Sequence, residues 1–265
     1  MRHLVLSLFP GADLFGEAFE REGFCVVRGP ELILGQDIRI WSAIEGKFDV
    51  VIGGPPCKSF SSVGRWKKPS QGNLIPEFER VVSEARPKVF VMENVREAPV
   101  PHMGGYAIHN YLLNAHHYGA NQNRVRRFTF GYKHDGGLES WPFHIEDPLP
   151  AHLRTPDPFS TVLASEGQFP THCAGRKKLG RRLTIQEVCE LQGVPEKAEA
   201  WFFLPRGKAK RQVFRKEFRY ELIGNAVEMN TGLVVARAVK SGLEQLSPTP
   251  AEKSSLAGVR RGIPR

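Results

Sequence analysis

Apolar positions in this chain fall into short runs bounded by glycine, proline and polar turns. His3 to Phe9, Phe24 to Val27, Val50 to Gly53 and Val89 to Met92 are such runs. Their length and punctuation predict buried strands of a parallel sheet. Phe128 to Tyr132 predicts a further strand. Helical spacing lies between them. Asp13 can cap a helix with Phe15, Ala18 and Phe19 on one face, closed by Gly23. Pro76 opens a second helix, with Phe78, Val81, Val82 and Ala85 inward. Tyr106 to His117 reads as a third. Thr184-Ile185-Gln186-Glu187 is a capping box starting a helix with Val188 and Leu191 inward, ended by Gly193 and Pro195. A long helix follows Gly224-Asn225-Ala226-Val227 and runs through Leu243.

Residues 133–180 break this rhythm. Proline, glycine and histidine rise, long apolar runs vanish, and Phe159 to Ala164 is the candidate strand. That predicts a loop-rich lobe. The alternation elsewhere predicts an α/β fold with a doubly wound, Rossmann-like, mostly parallel sheet. The expected division is a catalytic domain of residues 1–131 completed by 223–245, a small lobe of 132–222 facing it across a basic cleft, and a disordered tail of 246–265.

Composition narrows the class. At 265 residues and 41% hydrophobic, the chain can bury a core. Lysine and arginine total 37 against 28 acidic residues, a net charge of +9, which points to a polyanionic partner, nucleic acid first. Cys25, Cys57, Cys173 and Cys189 form no Cys-x-x-Cys pair, which argues against a zinc site or a disulfide framework and fits a reducing cytosol. The sequence has no bilayer-length apolar run and no signal-peptide pattern, so the expected location is cytoplasmic.

Chemistry gathers at the ends of the expected strands. Gly53-Gly54-Pro55-Pro56-Cys57 holds a thiol on a stiff turn just past a strand, where open α/β sheets bind ligands. Glu93-Asn94-Val95 ends another strand on the same edge, making Glu93 a candidate acid. The turn Pro10-Gly11-Ala12-Asp13 resembles a nucleotide-binding start, although the full glycine fingerprint is absent. Glu31 stands where ribose hydroxyls are taken, and Asp37 where an adenine amino group could donate. Taken singly, both read as ordinary loop carboxylates. In an extended Gln122-Asn123-Arg124-Val125-Arg126-Arg127, Arg124 and Arg126 share a face and Arg127 points away. Residues 58–75 form a polar loop with Arg65, Lys67 and Lys68 around Trp66. Basic clusters follow at 176–182 and 206–219.

In this order the motifs resemble those of the DNA cytosine-5 methyltransferases, in a compact prokaryotic or phage-like form. Gly53 to Cys57 is similar to the family's nucleophile motif, Glu93-Asn94-Val95 to its acid motif and Gln122-x-Arg124-x-Arg126 to its paired-arginine motif. Arg181-Arg182-Leu183-Thr184 with Leu191-Gln192-Gly193 resembles the motif after the target-recognition region, and Gly224-Asn225-Ala226-Val227 the last motif. The likeness covers residues 4 to about 240. Departures stand beside it. Ser7 and Asp13-Leu14 occupy the places of the family's opening aspartate and later Gly-Gly, Lys58 that of a glutamine, and Asn121 and Glu228 those of prolines.

The resemblance implies S-adenosylmethionine as methyl donor, held by Phe9, Gly11, Glu31, Asp37, Pro55 and Asn225. It implies double-stranded DNA as substrate, with the cytosine flipped out of the stack. Cys57 would add to carbon 6, Glu93 would protonate ring nitrogen 3, and Arg126 would hold the ring oxygen with Arg124 in support. Arg65, Gln122, Lys177 and Arg181 are the expected DNA contacts, and the loop 58–75 the expected lid. Candidate base readers are Lys133, His134, Glu139, His144, Glu146, Gln168 and His172. The chain is expected to work as a monomer in a restriction–modification setting, its partner endonuclease unassigned. A tRNA cytosine methyltransferase, an enzyme transferring a bulkier group, and a silent DNA-binding relative remain open alternatives.

Overall fold

The computed structural model describes residues 2–56, 72–133, 141–168, 173–194, 203–206, 209–212 and 216–246. Cys57, Arg65, His134, Glu139, His172, most of the 58–75 loop, much of the 206–219 basic stretch and the tail lie outside the described residues.

In chain order the elements are β1 (Leu4–Leu8), α1 (Leu14–Arg21), β2 (Cys25–Arg28), β3 (Val50–Gly53), α2 (Ile75–Ala85), β4 (Val89–Asn94), β5 (Tyr106–Asn114), β6 (Gln122–Asn123) and β7 (Val125–Lys133). Then come β8 (Phe159–Ser160), α3 (Ala174–Leu179), α4 (Ile185–Leu191), β9 (Phe203–Arg206), β10 (Ala209–Gln212), α5 (Lys216–Asn225) and α6 (Met229–Gln245). Six strands form the main sheet in the order β2-β1-β3-β4-β7-β5. The first four are parallel, and β7 and β5 run antiparallel to their neighbours.

Alternate residues of each central strand feed two cores, as a pleated sheet covered on both faces requires. Val50, Ile52, Val89 and Val91 pack with Phe15 and Phe19 of α1 and Val234, Val235 and Val239 of α6. Val51, Phe90 and Met92 pack with Phe78, Val81 and Val82 of α2. The expected doubly wound α/β sheet is therefore the observed one. The expected helix starts also hold: Asp13 accepts from the Gly16 amide, Pro76 sits in the first turn of α2, and Thr184 and Glu187 complete the capping box of α4.

One element differs in kind. Tyr106 to His117 is not a helix: Tyr106–Asn114 is strand β5, paired along its length with β7, and a 3-10 turn follows. Tyr106 and Ile108 pack toward the α2 core, whereas Ala107, Tyr111 and Leu113 pack toward the α1–α6 core. A strand apolar on both faces lacks the alternation that separates it from a helix in sequence. The lobe boundary also moves. Trp141, Phe143 and Ile145, placed by sequence in the small lobe, pack on the large core. Phe143 stacks near Phe130 and Trp141, with centroid separations of 5.5 and 5.2 Å. The lobe's own cluster comprises Val162, Ala174, Leu183, Val188, Cys189, Leu191, Tyr220 and Ile223, with Ala12 contributed by the β1–α1 turn.

Candidate active site

The carboxyl ends of β1, β3 and β4 open into a cleft of about 430 Å³. That is a volume suited to a small-molecule ligand, whose pockets run at about 300–1,000 Å³. The stretch bearing Phe9 and Gly11, the stretch bearing Glu31 and Asp37, and Pro55 and Asn225 all line it. All six residues expected to hold the cofactor thus line one space. Glu93 and Arg126 line the same cleft.

Local structure explains each placement. Pro55 and Pro56 follow β3, and Asn94 at the end of β4 donates its side-chain amide to the Pro55 carbonyl at 3.1 Å. This bond fixes the proline turn beside Glu93. Cys57 is the next residue along the chain. Glu93 is only 7% exposed, and Arg126 Nε lies 3.1 Å from its Oε1. Burial pushes the Glu93 carboxyl above the usual range, while Arg126 and then Arg124 pull it down. Burial is the larger effect, so the group is held toward its protonated form. A side chain at Gly54 would press on Glu93 Oε2, at 3.1 Å; glycine leaves the carboxyl its place.

The two arginines do not share one ligand. Arg124 is 2% exposed and sits in the break between β6 and β7. Its guanidinium donates to the carbonyls of Val162, Gly224 and Ala226 at 2.9, 3.0 and 2.9 Å. It ties the lobe and the stretch bearing Asn225 to the sheet, and only Arg126 reaches the cleft. Gln122 departs further from expectation. It is wholly buried, its amide donates to the Leu191 carbonyl and the Gln192 side chain, and its oxygen accepts from Val162 N. No polar atom is left for DNA, so Gln122 is an internal tie between strand and lobe.

Asp37 lines the cleft, but both its oxygens lie 3.0 Å from Arg39 Nε, and Arg39 Nη2 is 2.6 Å from Oδ2. This pairing lowers its pKa. Arg80 of α2 anchors the same stretch by donating to the carbonyls of Ile38 and Trp41 at 2.6 and 2.9 Å. Sequence reasoning missed Arg39, Phe218 and Glu221, which also line the cleft. The signal existed: Phe218, Glu221 and Asn225 recur at helical spacing on α5.

The basic residues of the lobe divide. Lys177 on α3 is exposed. Arg181 is exposed but bonded to both oxygens of Glu187, at 2.9 and 2.6 Å, which with the Thr184 bonds lowers Glu187 to about 2. Lys133 stands at the opposite end of the sheet, its amide on the Lys88 carbonyl before β4 begins. Glu146 pairs with Arg237 of α6. His144 and Gln168 are exposed.

A family model described as C-5 cytosine-specific DNA methylase matches residues 33–158, a span that includes the proline turn, Glu93 and both arginines. Over that span the chain is similar to this family. The type II methyltransferase M.FnuDI of Fusobacterium nucleatum is 25% identical over 90% of this chain and 94% of its own length. M1.HphI of Haemophilus parahaemolyticus is 32% identical, over 66% of this chain and 55% of its own. Among solved structures, a putative DNA modification methyltransferase of an E. coli prophage aligns at TM-score 0.63 and 19% identity, covering 91% and 99% of the two chains. The S. pombe Dnmt2 methyltransferase aligns at 0.59 and 13%, covering 93% and 100%. These two alignments bear on the fold alone. Among the described residues, no helix is long and apolar enough to cross a membrane.

Proposed function

We propose that this methylase transfers the methyl group of S-adenosylmethionine to carbon 5 of a cytosine flipped out of duplex DNA, as the modification half of a type II system. The observation that carries the reading is the buried Glu93–Arg126 pair beside the Pro55-Pro56 turn, in a cleft also lined by Glu31 and Asp37.

The cleft fits the cofactor. Leu32, Ile33, Ile38 and Leu74 offer apolar surface for an adenine, and the carboxylates of Glu31 and Asp37 offer acceptors for hydroxyl and amino groups. Glu31 already accepts from the Gly11 amide at 3.0 Å, which joins the two stretches. For Asp37 to accept from an adenine amino group, Arg39 must share or yield it. When bound, S-adenosylmethionine supplies an electrophilic methyl group.

The chain's residues do the rest. Carbon 5 of cytosine is a weak nucleophile. The Cys57 thiolate adds to carbon 6, and the electron pair of the 5,6 double bond becomes available at carbon 5. Negative charge moves toward nitrogen 3, where Glu93, its pKa raised by burial, donates a proton. Arg126 stabilises the ring oxygen and, once Glu93 has given up its proton, neutralises the new carboxylate at 3.1 Å. After alkylation a base removes the carbon 5 proton and the Cys57–carbon 6 bond breaks. A stacked base cannot reach these groups, so the cytosine must leave the helix.

The test is labelled-methyl incorporation into duplex DNA and into tRNA by the purified protein, with Cys57→Ala alongside and 5-fluorocytosine DNA as a trap. Incorporation into DNA that needs Cys57, with a covalent adduct on the fluorinated DNA, is expected. Incorporation into tRNA alone would replace the substrate, and an active Cys57→Ala would remove the mechanism.

A further inference from the structure

We infer that Asp13 is a positioning residue that clamps together two stretches lining the cofactor cleft, and that its carboxylate form is the one competent to bind S-adenosylmethionine. The inference rests on the cofactor reading given above.

The turn from β1 into α1 holds Phe9, Gly11 and Asp13 at φ of 54°, 54° and 49°. Two of the three lack glycine's freedom, so surrounding contacts must hold the turn in place. Asp13 supplies them while 6% exposed. Its Oδ1 accepts from Ser7 Oγ at 2.7 Å and from Gly16 N at 3.1 Å. Its Oδ2 lies 2.8 Å from Arg28 Nε. A side chain at Gly16 would collide with this carboxylate, so glycine permits the close approach. Arg28 turns its other two nitrogens to Glu20, at 2.9 and 3.0 Å.

The consequence is geometric. Asp13 ends the stretch bearing Phe9 and Gly11. Arg28 ends β2 and leads through Gly29-Pro30 into the stretch bearing Glu31. The Asp13–Arg28 contact and the Glu31–Gly11 bond are two rungs between these stretches. A cavity of about 40 Å³, lined by Ser7, Asp13, Gly54, Glu93 and Asn225, places this clamp near Glu93 as well.

Burial pushes the Asp13 carboxyl up to about 6, against the bonds from Ser7 and Gly16 and the charge of Arg28. Below that pH the group takes a proton. Oδ1 is already accepting two donors, so the proton goes to Oδ2. The charge that holds Arg28 beside Oδ2 is then lost, and the ion pair loosens. Among the groups around Asp13, Arg28 is a cation shared with Glu20, Glu17 acts on Arg28 from α1, and Glu93, held toward its neutral form, lies across the cavity. The sign is therefore fixed: cofactor affinity is full above about pH 6 and falls as pH drops through it.

Calorimetric titration of the DNA-free protein with S-adenosylmethionine between pH 7.5 and 5.0 tests this. If only the ionised form binds, the Kd rises about tenfold at one pH unit below the Asp13 pKa. Asp13→Asn presents a donor at the Oδ2 position and tolerates left-handed backbone; it should bind weakly, with no pH dependence. Ser7→Ala removes a donor to the carboxylate without touching Asp13, so the midpoint should move to higher pH. Glu93→Gln should keep the dependence. A parent Kd that is flat with pH, or a dependence that vanishes with Glu93→Gln and survives Asp13→Asn, overturns the inference and leaves the cofactor reading standing. No binding at any pH overturns both.

Discussion

At Glu93 two opposing effects meet on one carboxyl. Removal from water disfavours its charge, and the Arg126 guanidinium 3.1 Å away favours it. Burial prevails, so the carboxyl is held above its ordinary range, toward its protonated form. Glu93→Gln should slow the chemical step by about 10²–10⁴-fold, the usual range for a positioned acid, with cofactor affinity little changed. Single-turnover rates at saturating cofactor measure it. The sign of the pH dependence follows from the raised pKa. The rate per bound complex should fall as pH rises through the Glu93 pKa, because the proton to be donated is lost. That alkaline limb should be missing in Glu93→Gln. Its persistence would assign the limb to another group and take the acid role from Glu93.

Between elements, the buried arginine Arg124 joins three chain segments that share no secondary structure. Its donors satisfy Val162 of the lobe and Gly224 and Ala226 on either side of Asn225. Gln192 adds bonds to the Ile223 and Ala226 carbonyls, at 2.8 and 3.3 Å. Glu228 caps α6 by accepting from the amides of Asn230 and Thr231. Lysine cannot reproduce a fork that serves carbonyls in different directions. Arg124→Lys should therefore leave buried acceptors unpaired, at about 1–3 kcal/mol each. The expected outcome is a loss of several kcal/mol in denaturant unfolding, together with weaker cofactor binding through a displaced Asn225. A variant with parent stability and lower activity alone would make Arg124 a direct catalytic group instead.

For the whole molecule, net charge and lobe size set the behaviour toward DNA. Of the cations at 176–182, Lys178 is committed to Asp157 and packs over Phe159, and Arg181 is committed to Glu187. Each pair is neutral, so binding must draw on the cations outside them, which carry the whole +9 surplus. With about six phosphate contacts, the log–log dependence of affinity on salt should have a slope of about −5. Filter binding or anisotropy across salt concentrations measures it, and a nearly flat slope would move the basic surface off the DNA face. The lobe is smaller than its sequence span suggests, because Trp141, Phe143 and Ile145 belong to the large core. Among its described residues little structure remains to hold base-reading side chains, each worth about 1–3 kcal/mol when rigidly aimed. The expected recognition site is short, about two to four base pairs, or relaxed. Base-resolution mapping of modified cytosines on a random-sequence library tests this. A strict site of six or more base pairs would require readers outside the lobe.

Local and short-range features of this protein were determined by its sequence. Val50 to Gly53 is a buried strand because a parallel strand covered on both faces needs no polar alternation. Thr184 and Glu187 start a helix because their side chains satisfy each other's backbone amides within one turn. Glu93 and the proline turn meet because parallel strands place their carboxyl ends on one edge. The tertiary structure decided whatever depended on partners distant in sequence. Tyr106–Asn114 is a strand because β7 was available to pair with it. Arg124 and Arg126 are two residues apart, yet one is consumed by carbonyls up to 102 residues away while the other faces the cleft. Gln122 became an internal tie through residues about 70 positions later. Asp13 marks the boundary between the two. Its capping of α1 was visible locally, but its bond to Ser7 and its contact with Arg28 required β1, α1 and β2 to close around one carboxylate. Burial by those three elements, which no local pattern specifies, is what raises its pKa.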